Sequence, residues 1–270
     1  MSGVRDLARR ALRRLRGAPE LAMSEGRGMR HLHLGGDAIQ SAMRLDDPWA
    51  LALDYTRCMM GFLLFHPEPR EALMIGLGGG SLAKFFHRRL RRARARVIEL
   101  DPRVVAAARE HFGLPPDDAR LSVEIGEGAE ALAPECCDVL VVDGFDDGEQ
   151  VPGLASAAFY DAAWLALAEP GVLVVNYLSD DPKLDRYLER LERAFGGAVV
   201  CLPALSDPNL IAFALKGAPM RLAWSALRQR AARLQARLDL PFERYVGALK
   251  RMNPHTAQDL MIGPQEHGKR

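Results

Sequence analysis

Four carboxylates crowd into the segment Asp143-Gly144-Phe145-Asp146-Asp147-Gly148-Glu149, directly after the apolar run Val139 to Val142. An aspartate emerging from a buried strand is costly unless it has a partner or a proton to take. A carboxylate can hold an ammonium group and accept its proton, which an amine needs before it attacks an electrophilic carbon. Asp143 is the candidate base. A second set lies upstream, where Met74-Ile75-Gly76-Leu77-Gly78-Gly79-Gly80-Ser81 places a glycine cluster between an apolar strand and a helix-like segment. There the chain turns sharply and a ligand can approach backbone amides, so Gly76, Gly78, Gly79 and Gly80 are candidates for holding a nucleoside. Glu99, in Ile98-Glu99-Leu100-Asp101, stands about 20 residues beyond the glycines, the position from which a carboxylate reaches ribose hydroxyls. Asp101-Pro102 reads as a helix cap and first helical residue. Glu127, in Gly126-Glu127-Gly128, is the candidate acceptor for an adenine amino group.

These residues need a scaffold that gathers strand ends. From Ala72 onward short apolar runs alternate with helix-length segments: Ala72 to Gly78, Arg96 to Asp101, Leu121 to Gly126, Cys137 to Gly144 and Gly171 to Leu178. That alternation predicts an α/β protein with a parallel, doubly wound sheet. Ala198 to Leu205 and Asn209 to Lys216 are separated only by Ser206-Asp207-Pro208, too little chain for a crossover helix, so the last two strands must pair antiparallel. A seven-stranded sheet of five parallel strands and a terminal hairpin is the Rossmann-like methyltransferase fold, which takes S-adenosylmethionine. Ligands bind at the carboxyl edge of such sheets, the edge that carries the glycines, Glu99, Glu127 and Asp143.

The flanking segments read as follows. Residues 1–27 form a basic N-terminal helix, with Arg5, Arg9, Arg10, Arg13, Arg14 and Arg16 around an apolar stripe of Val4, Leu7, Ala11 and Leu15. Residues 28–70 hold a small β-hairpin, in which Met29 to Leu45 alternates around Gly35-Gly36-Asp37, and a linking helix from Asp46-Asp47-Pro48 to Phe65. Residues 71–218 form the nucleoside-binding domain. Residues 219–270 carry an amphipathic helix, Met220 to Leu238, and a polar tail.

The 270 residues are 49% hydrophobic and 26% charged, with net charge +1, an ordinary globular balance. No apolar run has the roughly 18 residues of a membrane span. Cys58, Cys136, Cys137 and Cys201 have no C-x-x-C spacing and no paired histidines nearby, which predicts no metal site and a reducing, cytoplasmic setting.

Collectively these segments resemble the spermidine synthase (polyamine aminopropyltransferase) family over roughly residues 29 to 217. The family's G-G-G-D-G-G cluster, E-[IL]-D strand end, G-D-G turn and D-[ST]-[ST]-D-P loop stand here as Gly76 to Ser81, Glu99-Leu100-Asp101, Gly126-Glu127-Gly128 and Asp143 to Asp147. Gln40 matches a glutamine after the hairpin turn, and Tyr55 the tyrosine of Y-[HQ]-E. The resemblance implies Asp143 as base, Asp146 as a second anchor for a cation, Tyr55 as a wall of the acceptor pocket and Gln40 as a nucleoside contact. It implies a homodimer and a small amine acceptor, with decarboxylated S-adenosylmethionine as the co-substrate.

The sequence departs from the family where an aspartate inside the glycine cluster becomes Gly79, where Thr56 and Arg57 follow the tyrosine, and where Leu205 to Asn209 replaces a Y-P-S-G segment. Losing an acidic partner and gaining an arginine suits the carboxylate of intact S-adenosylmethionine. Methyl transfer is therefore the alternative to aminopropyl transfer. A third reading, a non-catalytic nucleoside- or RNA-binding module, rests on the arginine-rich start and Arg88-Arg89-Leu90-Arg91-Arg92; such basic stripes are commonly solvated faces, so a nucleic-acid partner is not expected.

Overall fold

The computed structural model describes residues 20–36, 39–146, 149–219 and 221–263. The expected arginine-rich helix lies outside them, except that Leu21–Gly26, which the sequence reading assigns to the same segment, is a strand, β1. It pairs antiparallel with β2 (Met29–Leu34), which pairs with β3 (Ile39–Arg44). The expected hairpin is thus two strands of a three-stranded sheet. β1 gives no sequence signal because five of its six residues are exposed.

The main sheet has seven strands in the order β11-β12-β10-β7-β4-β5-β6. β4 (Glu71–Ile75), β5 (Arg94–Glu99), β6 (Leu121–Ile125), β7 (Cys137–Val142) and β10 (Leu167–Leu178) run parallel. β12 (Asn209–Lys216) is antiparallel to β10 and to β11 (Val199–Pro203), as the short connection requires. β10 starts four residues before the apolar run suggests, because Leu167 already pairs with Cys137 ahead of an irregular register.

Alternation within each strand divides two cores. Ala72 and Met74 of β4, with Val139 and Val141 of β7, pack with Phe62, Phe86 and Phe112 on one face. Leu73, Ile75, Leu140 and Val142 face the other layer, which holds Phe159, Tyr160 and Leu191. The first layer includes α2 (Ser81–Arg89) and α3 (Pro102–His111); the second includes α4 (Ala157–Ala166) and α5 (Leu184–Ala194). Both faces of the central strands are covered, which is why β7 and most of β4 and β10 read as apolar runs, whereas β5 and β6 toward the edge carry exposed Arg96 and Glu124.

Two flanking expectations are corrected. The linking helix begins at Asp54 rather than Pro48: α1 spans Asp54–Met59 and continues as a 3-10 turn over Met60–Leu64. Asp47 caps a single turn, accepting from Trp49 N at 3.2 Å and Ala50 N at 3.1 Å, which does not propagate. The C-terminal region has two helices rather than a helix and a polar tail. α6 (Trp224–Leu238) ends at Asp239 in the left-handed conformation, φ 57°, and α7 (Phe242–Met252) follows. Phe242, Tyr245, Val246 and Leu249 of α7 are buried at helical spacing between charged residues. Arg221–Ala223, expected as the first turn of α6, is a strand, β13, paired with β14 (Asp259–Met261). Among the described residues no helix is long and apolar enough to cross a membrane.

Candidate functional site

The ends of β4, β5 and β7 are tied together by backbone. Gly76 N donates to Ile98 O and Asp143 N to Ile75 O, each at 3.0 Å. Gly76 has φ 94°, and a Cβ on it would lie 2.2 Å from Asp143 O, so only glycine fits this junction. The chain then turns through Gly78 to Gly80, the last of which precedes α2 with Gly80 N bonded to Leu77 O at 2.9 Å.

Glu99 closes this loop from the neighbouring strand. Its Oε2 accepts from Leu77 N and its Oε1 from Asp101 N, both at 2.9 Å. The carboxylate is 9% exposed. Burial raises its pKa, and the two amides oppose that shift. Each oxygen keeps a further lone pair for a ribose hydroxyl. Asp101 is the cap of α3, accepting from Arg103 N at 2.8 Å, as expected. One strand further along the edge, half-buried Glu127 precedes a 3-10 turn at Gly128–Ala131.

The small N-terminal sheet contributes β3, whose buried Ser41 lies over Gly78 and Gly79. Its neighbour Gln40 is left without a cross-strand partner where the register slips between Leu32↔Ser41 and His33↔Ile39. Such a bulge re-aims side chains at the rim of a site. A Cβ on Gly79 would lie 2.8 Å from the Phe112 ring and 2.9 Å from Ser41 Oγ. The direction an aspartate would take at this position is therefore filled.

At the end of β7 Asp143 accepts from Asn176 Nδ2 at 2.9 Å and from Tyr55 Oη at 3.3 Å. Asn176 in turn accepts from Asn209 Nδ2 at 2.9 Å. Burial pushes the Asp143 carboxyl upward, while the bonds from Asn176 and Tyr55 pull it down. Burial likewise raises the Tyr55 phenol well above its ordinary value, helped by the charges of Asp143 and Asp207. Asp207 Oδ2 accepts from Tyr55 N at 2.9 Å, and Asp54 Oδ2 accepts from Leu205 N at 2.6 Å and Ser206 N at 3.1 Å. The two aspartates pin the β11–β12 turn onto α1. Asp146 lies on a two-stranded ribbon, with β8 (Phe145–Asp146) paired to β9 (Glu149–Gln150); Asp147 is outside the described residues.

Thr56 and Arg57 bond backwards, Thr56 Oγ1 to Leu53 O and Arg57 Nη2 to Ala52 O, each at 2.7 Å. Arg57 Nη2 is thereby held on the loop that precedes α1. Sequence reasoning missed Asn176, Asn209, Asp54 and Asp207. Asn176 had a signal: it is the one polar side chain in the run Val172 to Leu178 apart from the Tyr177 hydroxyl, and it is 2% exposed. Asp207 had none, because a Ser-Asp-Pro turn is sufficient reason for an aspartate.

Residues 53–200 match the family described as spermine/spermidine synthase domain. A polyamine aminopropyltransferase of Chromobacterium violaceum is 39% identical over 246 residues, which is 90% of this chain and 94% of that protein. Among solved structures, a probable spermidine synthase from Corynebacterium glutamicum matches with TM-score 0.64 at 19% identity, over 89% of this chain and 97% of that one. Human methyltransferase-like protein 13 in complex with SAH matches with TM-score 0.62 at 25% identity, over 70% of this chain and 93% of that one. Both share the seven-stranded fold.

Proposed function

Because the chain belongs to the spermine/spermidine synthase family, we propose that it transfers an aminopropyl group from decarboxylated S-adenosylmethionine to a di- or polyamine. The observation that carries this reading is the buried Asp143 carboxylate, oriented by Asn176 and Tyr55 and tied by backbone to the glycine loop that Glu99 closes.

Glu99 holds the ribose, Glu127 the adenine amino group, and Gln40 with the backbone of Gly76 to Gly80 borders the nucleoside. Asp143 receives the acceptor ammonium and takes its proton. The freed nitrogen then forms a bond to the aminopropyl carbon while the carbon–sulfur bond breaks, its electron pair staying on sulfur. Burial makes Asp143 a stronger base than an exposed aspartate, and its two hydrogen bonds keep the anion accessible. Charge disperses as the sulfonium is consumed, so alignment of nitrogen, carbon and sulfur supplies much of the acceleration. Asp207, on the far side of Tyr55, holds the distal ammonium of the acceptor, with Asp146 as a further anchor. An acceptor with two cationic ends suits two carboxylates held at the two ends of Tyr55, Asp143 at its hydroxyl and Asp207 at its backbone N–H.

Methyl transfer from intact S-adenosylmethionine has one observation in its favour: no carboxylate stands at Gly79, and Phe112 fills the space for one. Incubation with each nucleoside and a mixture of amines, followed by mass analysis, decides. The expected product is an amine heavier by one aminopropyl group, formed from the decarboxylated donor; a methylated product from the intact donor would overturn the proposal.

A further inference from the structure

Away from the nucleoside groove, Trp49, His87, Arg88, Arg91 and Arg120 line a cavity of about 430 Å³. It lies at the C-terminal end of α2, and the nine residues of that helix separate it from the glycine loop by roughly 12 Å. Its walls come from three places: Trp49 from the loop before α1, His87 and Arg88 from α2 with Arg91 just beyond, and Arg120 from the approach to β6.

Basic residues at a helix C-terminus are ordinarily solvated partners of the helix dipole. Here they converge instead. The Arg88 guanidinium sits 4.9 Å from the Trp49 ring centre, and Arg120 Nη1 donates to His87 O at 2.8 Å. The nearby carboxylate is already committed: Asp118 takes His87 Nε2 at 2.9 Å, Arg120 N at 2.7 Å and Leu121 N at 2.9 Å. The His87 bond, then the backbone amides, holds its pKa down at about 2. Among the described residues no carboxylate forms an ion pair with Arg88, Arg91 or Arg120. Arg88, Arg91 and Arg120 thus line one pocket in which, among the described residues, none of the three is ion-paired.

We propose that this cavity binds the phosphate groups of a small polyphosphate-bearing molecule. Guanidinium forks match phosphate oxygens two at a time, and several converging forks require several anionic oxygens. The pocket is open to solvent and its arginines are spread over two segments of chain, which leaves room for more than one phosphate, and Trp49 gives it an apolar wall. The site is independent of the transferase reading.

Calorimetry on the full chain with tripolyphosphate at low salt tests this. One molecule is expected to bind, about tenfold more weakly in Arg91→Ala, the loss for one charge-assisted contact, and more weakly in added salt. Among the described residues Arg91 makes no hydrogen bond that holds the fold, and donor binding should be unchanged in the variant. Cytidine triphosphate separates two sources of the same chemistry: tighter binding than tripolyphosphate indicates a nucleotide, equal binding a polyphosphate chain. Absence of heat at millimolar tripolyphosphate, or binding indifferent to both Arg91→Ala and Arg88→Ala, would overturn the site. So would tighter binding of a single-stranded RNA oligomer that the same variants abolish, which would make the surface a nucleic-acid contact.

Discussion

Asn176 donates its side-chain amide to Asp143 Oδ1 across 2.9 Å while its own carbonyl oxygen accepts from Asn209. Asn209 therefore fixes which way the Asn176 amide points, and the candidate base is oriented by a relay that begins on the antiparallel strand β12.

Replacing the base should separate chemistry from binding. Asp143→Asn is expected to lower turnover by about two to four orders of magnitude, the range for a positioned acid or base. Donor affinity should stay within a few-fold. Single-turnover rates beside a donor titration check both, and undiminished turnover would remove Asp143 from the reaction.

The pH profile follows from burial. As the proposed base Asp143 must be ionised to act, so activity is expected above its pKa and is expected to be lost as pH falls through it. Burial sets that acid limb above the ordinary carboxylate range, while Asn176 and Tyr55 hold it down. Asn176→Leu and Tyr55→Phe should each move the limb of kcat/KM to higher pH. A limb that stays in place or moves to lower pH contradicts this.

Glu99→Gln keeps the size of the side chain but replaces a carboxylate oxygen with an amide nitrogen that cannot accept a backbone N–H. Donor binding is expected to weaken by about 1 to 3 kcal/mol, the loss of a charged hydrogen-bond partner. Equal donor affinities by calorimetry would take Glu99 out of the nucleoside site.

Asp207→Asn should raise KM for the amine with little change in kcat at saturation, since Asp207 is assigned to the distal ammonium. A monoamine acceptor, with no second cation, should be indifferent to the change. An equal loss with both acceptors would mean that Asp207 only positions Tyr55.

Lys84 gives a stability test away from the chemistry. It is 1% exposed, and Nζ donates to Pro48 O at 2.7 Å and Phe112 O at 2.6 Å. Burial lowers its pKa to about 8. Below that pH the buried charge weighs against the fold. Between about 8 and the ordinary value the unfolded chain still binds the proton and the folded chain does not, so stability rises with pH. Lys84→Met removes this response. The difference in unfolding free energy, wild type minus variant, should grow between pH 7.5 and 10, by on the order of 1 to 3 kcal/mol; a constant or shrinking difference would show that the ammonium stays charged.

The sheet was legible because its central strands are buried on both faces and read as mostly apolar runs; Asn209–Lys216 was bounded to the residue, and the others to within a few. The same logic picked out Gly76, whose type is dictated by the close approach of Asp143 O, and Asp143 at a strand end as the candidate base. It failed where local chemistry has two outcomes. Asp47-Pro48 is as good a start for one turn as for a helix, and in α7 charged residues between the buried ones read as a tail. Asp207 and Asn209 draw their importance from Tyr55 and Asn176, far away in sequence, and no local pattern encodes such pairings.

The contact between Gly79 and Phe112 sets a limit on how this groove can change. An aspartate at position 79 has nowhere to go while the phenyl ring is present, and shrinking the ring alone opens a hole behind the glycine loop. With Ser41 Oγ 2.9 Å from the same Cβ, converting the site to the acidic arrangement seen in the family takes at least two coordinated substitutions, and each made singly is expected to be worse than the starting protein.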